Sequence, residues 1–201
     1  MKILCDGKEF EYEFVSVSLS FESDIYSNVF RDKNNKTVKT TLEHYRYKKL
    51  KEDTFRHYSK FLDWPLGKFL VFLKQRGDDY YKRFLNKYGD SEYSKFFITD
   101  ESILNKKGIY IYTLFEQIAY VGRSTDSMKK RINQGYGKIH PKNCYLDGQA
   151  TNCHLNTLIT ERKRDISLWL HIMEDKEEIK RIEARLIWEC NPPWNIALKK
   201  Y

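Results

Sequence analysis

The sequence has no apolar run approaching the ~20 residues a helix needs to cross a bilayer. That excludes a helical membrane span and gives the expectation of no membrane partner. The opening stretch, MKILCDGKEF, lacks the apolar core of a secretion signal. Cysteine is scarce, four among 201 residues, which is too few for a disulfide framework. The expectation is a cytoplasmic protein with reduced thiols. There are no internal repeats and no low-complexity tract. Charge is not gathered in a tail either: residues 108–201 hold 15 basic and 11 acidic side chains, and residues 1–107 hold 21 and 17. Any basic face must be assembled by folding.

What is present is a basic balance and a core. Lysine and arginine number 36 against 28 acidic residues, a formal charge of +8, with 41% hydrophobic residues. Such an excess suits a polyanion, because cations that neutralise phosphates release condensed counterions.

The pattern along the chain is α+β. Met1 to Cys5 and Lys8 to Phe21 read as β structure around an Asp6-Gly7 turn, with Phe10, Tyr12 and Phe14 alternating with Glu9, Glu11 and Glu13. From about Asp53 to Tyr88 the period turns helical. Leu66, Phe69, Leu70 and Leu73 make an apolar stripe after Pro65, and Asp78-Asp79 opens a second helix. Residues 90–107 are mixed. A boundary near 105/106 divides the chain into an N-terminal region of unknown α/β-mixed fold, 1–105, and a second domain, 106–201. The first holds no site chemistry and is assigned to DNA contact, assembly or support.

In the second domain Gly108 to Leu114 and Ile118 to Gly122 read as a hairpin. A loop of Phe115-Glu116-Gln117 sets Tyr112 opposite Tyr120 and Tyr110 opposite Gly122. Tyr110 and Tyr120 then share a face, whereas a two-residue loop would separate them. Gly122 leaves open space opposite Tyr110 for a phosphate. Taken alone, these read better as ordinary strand tyrosines in a tyrosine-rich chain. A helix follows from Ser127, capped by Thr125 or Asp126. Ile166 to Ile172 is a third strand, and Lys176 to Cys190 a helix ended by Asn191-Pro192-Pro193. On that helix Glu183 falls within the stripe of Ile179, Ile182, Leu186, Ile187 and Cys190. A carboxylate so placed needs a divalent metal or a nearby arginine. His140, Cys144, Cys153 and His154 lack the spacing of familiar zinc ligand pairs. Arg162-Lys163-Arg164 reads as a solvated turn.

Gly108-Ile109-Tyr110, then Tyr120-Val121-Gly122, an arginine on the next helix, Glu183 on a late helix and Asn195 after two prolines resemble the GIY-YIG nuclease family. The likeness covers roughly residues 106–197. It implies a small mixed three-stranded sheet flanked by helices, and metal-dependent hydrolysis of DNA phosphodiesters, as in homing and restriction endonucleases. By the same resemblance Tyr110 is the general base, with Tyr120 its partner. Arg131 binds the scissile phosphate, and Asn195 orients the site. Glu183 holds one Mg²⁺ or Mn²⁺ ion. Arg123, Tyr136 and His154 are expected at the substrate. Arg131 stands one residue later than the family spacing, and Tyr136 lies five residues beyond it instead of one α-helical turn; either a local helix irregularity accounts for both, or Tyr136 is simply structural. Residues 136–159 look like an insertion. A single site nicks, so cutting both strands implies a homodimer or two encounters. The alternatives are a non-catalytic nucleic-acid-binding protein on the same fold and an enzyme acting on RNA.

Overall fold

A computed structural model describes residues 3–5, 8–10 and 12–198. The Asp6-Gly7 turn lies outside the described residues. Ile3–Cys5 (β1) and Lys8–Phe10 (β2) pair antiparallel. Val15–Val17 (β3) and Leu19–Tyr26 (β4) follow. The β pattern then stops earlier than the sequence suggests: Val38–Leu42 (α1) and Lys48–His57 (α2) are helical. Leu66–Gln75 (α3) follows Pro65, and all four residues of its predicted stripe are buried. The helix expected after Asp78 is a 3₁₀ segment, Asp79–Phe84. Tyr93–Ile98 (β5) joins β4 in a two-stranded sheet, and Glu101–Leu104 (α4) is a short turn of helix. Gly108–Leu114 (β6) and Gln117–Ser124 (β7) form the hairpin. A π-helix over Lys129–Tyr136, Ala150–Glu161 (α5), Ile166–Ile172 (β8) and Lys176–Cys190 (α6) complete the order. Among the described residues no helix is long and apolar enough to cross a membrane.

The chain is α+β, but it does not divide at 105/106. It forms two interleaved compact units, one of residues 1–23, 94–138 and 158–201, the other of residues 24–93 and 139–157. Each needs segments far apart in sequence, so a linear boundary misses both.

The first unit is built on a four-stranded sheet in the order β3-β8-β6-β7, with every neighbouring pair antiparallel. The expected sheet was three-stranded and mixed. The N-terminal β3 adds the fourth strand, and β8 lies antiparallel to β6. One face packs Ile109, Ile111, Val121 and Phe14 against Ile179, Ile182, Leu186 and Ile187 of α6. Alternation along the strands therefore turns Tyr110, Tyr112 and Tyr120 to the opposite face. Gly108 starts β6 with φ +142°, and a Cβ there would meet the His171 carbonyl oxygen at 2.0 Å, so only glycine fits.

The second unit is mainly helical and has an aromatic core that includes Phe30, Tyr47, Phe69, Phe84, Tyr93 and Tyr145. The predicted insertion contributes to it. The Tyr145 hydroxyl donates to the Phe30 carbonyl, and Asp147 accepts from both the Tyr47 hydroxyl (2.6 Å) and Lys33 Nζ (3.1 Å). Cys144 and Cys153 are free and buried, within hydrogen-bond reach of each other and of Tyr93.

Candidate active site

The hairpin sets the tyrosines by a route other than the expected one. The loop has two residues, not three: Leu114 pairs with Gln117 and Thr113 with Ile118. Phe115 (φ 47°) and Glu116 (φ 67°) are both left-handed, the pattern of a type I′ turn, which matches strand twist. An even loop alone would separate Tyr110 from Tyr120. A bulge between Tyr112 and Thr113 absorbs Ala119, after which Tyr112 pairs with Tyr120 and Tyr110 with Gly122. The bulge restores the parity. The rings of Tyr110 and Tyr120 stack with centroids 6.1 Å apart.

Gly122 is needed for a different reason from the one expected. A Cβ on it would lie 2.4 Å from Tyr110 Cζ and 2.5 Å from its hydroxyl oxygen. The space is filled by the Tyr110 ring itself, not left open for a phosphate.

The helix after the hairpin opens with the Ser127 hydroxyl accepting from the Lys130 amide at 3.2 Å, so Ser127 is the cap, not Thr125 or Asp126. Over Lys129–Tyr136 the helix widens to the π form, and the Gly137 amide closes a five-residue step to the Ile132 carbonyl at 2.8 Å. A wider turn keeps residues five apart on one face. Arg131 and Tyr136 have that spacing, and the Arg131 guanidinium lies 5.8 Å from the centre of the Tyr136 ring. The irregularity expected from the spacing is present.

Arg131 Nε donates to the Tyr110 hydroxyl oxygen at 2.9 Å. The nearby Tyr110 oxygen is the largest influence holding the guanidinium above its ordinary pKa, against desolvation. A guanidinium has five N–H donors. Among the described residues only the Nε donor of Arg131 has a hydrogen-bond partner, and Arg131 lines an open cavity of about 370 Å³. Arg123, Ser124, Thr125, Asp126, Ser127, Lys130 and Glu183 complete the lining. The sequence reading missed Ser124, Thr125, Asp126, Ser127 and Lys130 as site residues. Their signal was the run of capping residues ahead of a helix, with Asp126 and Lys130 at ion-pair spacing.

Glu183 is buried on α6 as its position in the stripe requires, and it reaches the cavity. Its partner is Arg123, which hydrogen-bonds and ion-pairs with it while staying 40% exposed. The salt-bridge alternative is therefore realised. Burial still pushes the Glu183 carboxyl above its ordinary value, with Arg123 and then Arg131 pulling it back. Its negative charge is thus under-compensated. Ser124, Thr125, Asp126 and Ser127 share the lining, so the side chains present carry hard oxygens, which suit Mg²⁺. Among the described residues no group of three or more His, Cys, Asp or Glu could hold a metal. The lining offers two carboxylates, Glu183 and Asp126, so a site with at most two carboxylates and retained waters is what fits.

The other expected site residues stand apart from the cavity. Tyr110 is fully buried behind Arg131. Tyr120 is partly exposed, and burial, then Tyr110, pushes its phenol well above the ordinary value. Tyr136 is buried, with its hydroxyl 3.1 Å from that of Tyr112, and it supports Arg131 without lining the cavity. Asn195 binds backbone: its Oδ1 accepts from the Val121 amide (2.9 Å) and its Nδ2 donates to the Val121 carbonyl (2.8 Å). It clamps the open edge of β7 between Tyr120 and Gly122 instead of touching a reacting group. His154 belongs to the second unit, where its ring lies 4.5 Å from that of Tyr88; it is not among the residues lining the cavity. Comparison with protein-family models, curated proteins and solved structures finds no match.

Proposed function

We propose that the first unit is a metal-dependent DNA endonuclease of the GIY-YIG kind, with the Arg131 cavity as its active site. The observation that carries this reading is Arg131: a fixed cation with unspent donors, facing a cavity. Those donors fit a phosphodiester, which accepts paired hydrogen bonds in the plane of the guanidinium. Glu183 and Asp126 pair with Arg123 and Lys130, so the net positive charge of the lining is that of Arg131, and the Ser127-capped helix start adds to it.

In the proposed reaction water attacks phosphorus, the bond to the leaving oxygen breaks, and a proton of the water passes to a base. Arg131 spans the phosphate and Tyr110, so it stabilises developing charge and positions the phenol at once. The Tyr110 oxygen, held on Arg131 Nε, is the group that takes the proton. Tyr120, held protonated by burial, serves as a donor and not as the base. Glu183 would hold Mg²⁺ or Mn²⁺ once Arg123 turns away, and the ion supplies Lewis-acid stabilisation of the leaving oxygen.

The Arg123–Glu183 ion pair favours a second reading, a nucleic-acid-binding protein without cleavage. Supercoiled plasmid with Mg²⁺, on wild type and Glu183→Ala, separates the two. The nuclease reading predicts nicked and linear products from wild type only, with DNA binding retained in the variant. Binding by both with cleavage by neither establishes the second reading.

A further inference from the structure

Dividing the charge by compact unit, instead of by sequence halves, makes it uneven. The second unit holds 17 basic and 11 acidic residues, net +6, whereas the first holds 19 and 17, net +2. Most of the second unit's acids are already engaged. Asp32, Glu43, Glu52, Asp53, Asp79, Asp90 and Asp147 each pair with a cation. The surplus is therefore in unpaired lysines, and several share one surface. Lys36 and Lys142 both lie close enough to Lys33 to lower its pKa, though less than its burial does. The only carboxylate among these neighbours, Asp147, is taken by Lys33 and Tyr47. Arg46 Nη1 donates to the Leu146 carbonyl at 2.5 Å, which fixes the start of α2 against the same loop. Lys48 and Lys49 come next but for Tyr47, and Lys39 lies on the neighbouring α1. All six of Lys36, Lys39, Arg46, Lys48, Lys49 and Lys142 are exposed, and among the described residues none has an ion-pair partner.

Lys48 and Lys49 also oppose their own helix. They occupy the first turn of α2, which has no acidic residue, where the helix dipole disfavours cations. Local stability alone would not place them there.

We propose that this surface of the second unit docks the phosphate backbone of duplex DNA. The inference rests on the nuclease reading for its choice of polyanion. Exposed lysines without partners exchange counterions for phosphates at little desolvation cost, and they do so without regard to base sequence.

The test is fluorescence anisotropy of the full chain with a 30-base-pair duplex of arbitrary sequence, over a range of salt. The variants are Lys36→Gln/Lys142→Gln, Lys48→Glu/Lys49→Glu, and the control Arg76→Gln/Lys82→Gln on the same unit. Docking predicts at least a tenfold weaker Kd for each of the first two, a salt slope shallower by about 0.9 per lost phosphate contact, and little change in the control. The Glu pair is also expected to melt no lower than wild type, so weaker binding cannot be ascribed to unfolding. Wild-type affinity in both patch variants overturns the proposal, as does equal loss in the control. Because the readout is binding, it separates from the nuclease reading. A chain that binds through the patch but cuts nothing leaves docking standing alone; one that cuts but ignores the patch does the reverse.

Discussion

At the residue scale, two side chains carry contrasting predictions. Glu183 sits where burial disfavours its charge more than Arg123 and Arg131 favour it. Its folded pKa lies above the ordinary carboxylate value, so the folded state binds its proton more tightly than the unfolded state does. The sign follows: its contribution favours folding below the unfolded pKa and is lost as pH rises through the folded one. Glu183→Gln is therefore expected to melt higher than wild type near pH 7, with the difference shrinking below about pH 4.5, the ordinary carboxylate range. Thermal melting across pH checks this, and a structural salt bridge would give the opposite sign. Gly122→Ala tests the fit of Tyr110. The ring must move to escape a Cβ at 2.4 Å, which takes its oxygen off Arg131. The expected cost is about 1–3 kcal/mol in stability by denaturant titration, with cleavage lost more than tenfold.

At the scale of elements, the hairpin explains what sequence could and could not convey. Alternation placed Tyr110, Tyr112 and Tyr120 on one face, and the stripe of α6 placed Glu183 among isoleucines; both were legible, because period and side-chain volume are local. The bulge at Ala119 was not, since two loop-and-register combinations give the same parity and alanine favours neither. The π-helix was legible only as a spacing anomaly between Tyr120, Arg131 and Tyr136. The Arg123–Glu183 pair was an open alternative, because burial demands a cation without specifying which. The turn itself offers a prediction. Phe115 and Glu116 hold positive φ without being glycine or asparagine, and Phe115 is 74% exposed. Phe115→Asn/Glu116→Gly is expected to stabilise the protein by about 1 kcal/mol, seen as a higher Tm, with cleavage unchanged.

At the scale of the whole molecule, the interleaving of two units governs what survives truncation. The sequence suggested that residues 106–201 form a domain. Yet Phe14 is buried in the core of the first unit, and β3 covers the β8 edge of its sheet. Deleting residues 1–105 uncovers both. The fragment 106–201 is expected to show no cooperative melting by circular dichroism, and a sharp transition would contradict the interleaved assignment. Composition carried no trace of this arrangement, because the two sequence halves carry equal charge, +4 each, while the two units carry +2 and +6. The central claim is that the partly unsatisfied Arg131 is a phosphate-binding catalytic cation. Single-turnover cleavage of a labelled duplex with Mg²⁺, comparing wild type with Arg131→Lys, tests it most directly. A lysine keeps the charge but not the planar fork that spans phosphate and Tyr110. The account predicts at least a hundredfold slower cleavage step by the variant at saturating DNA, and equal rates would contradict it.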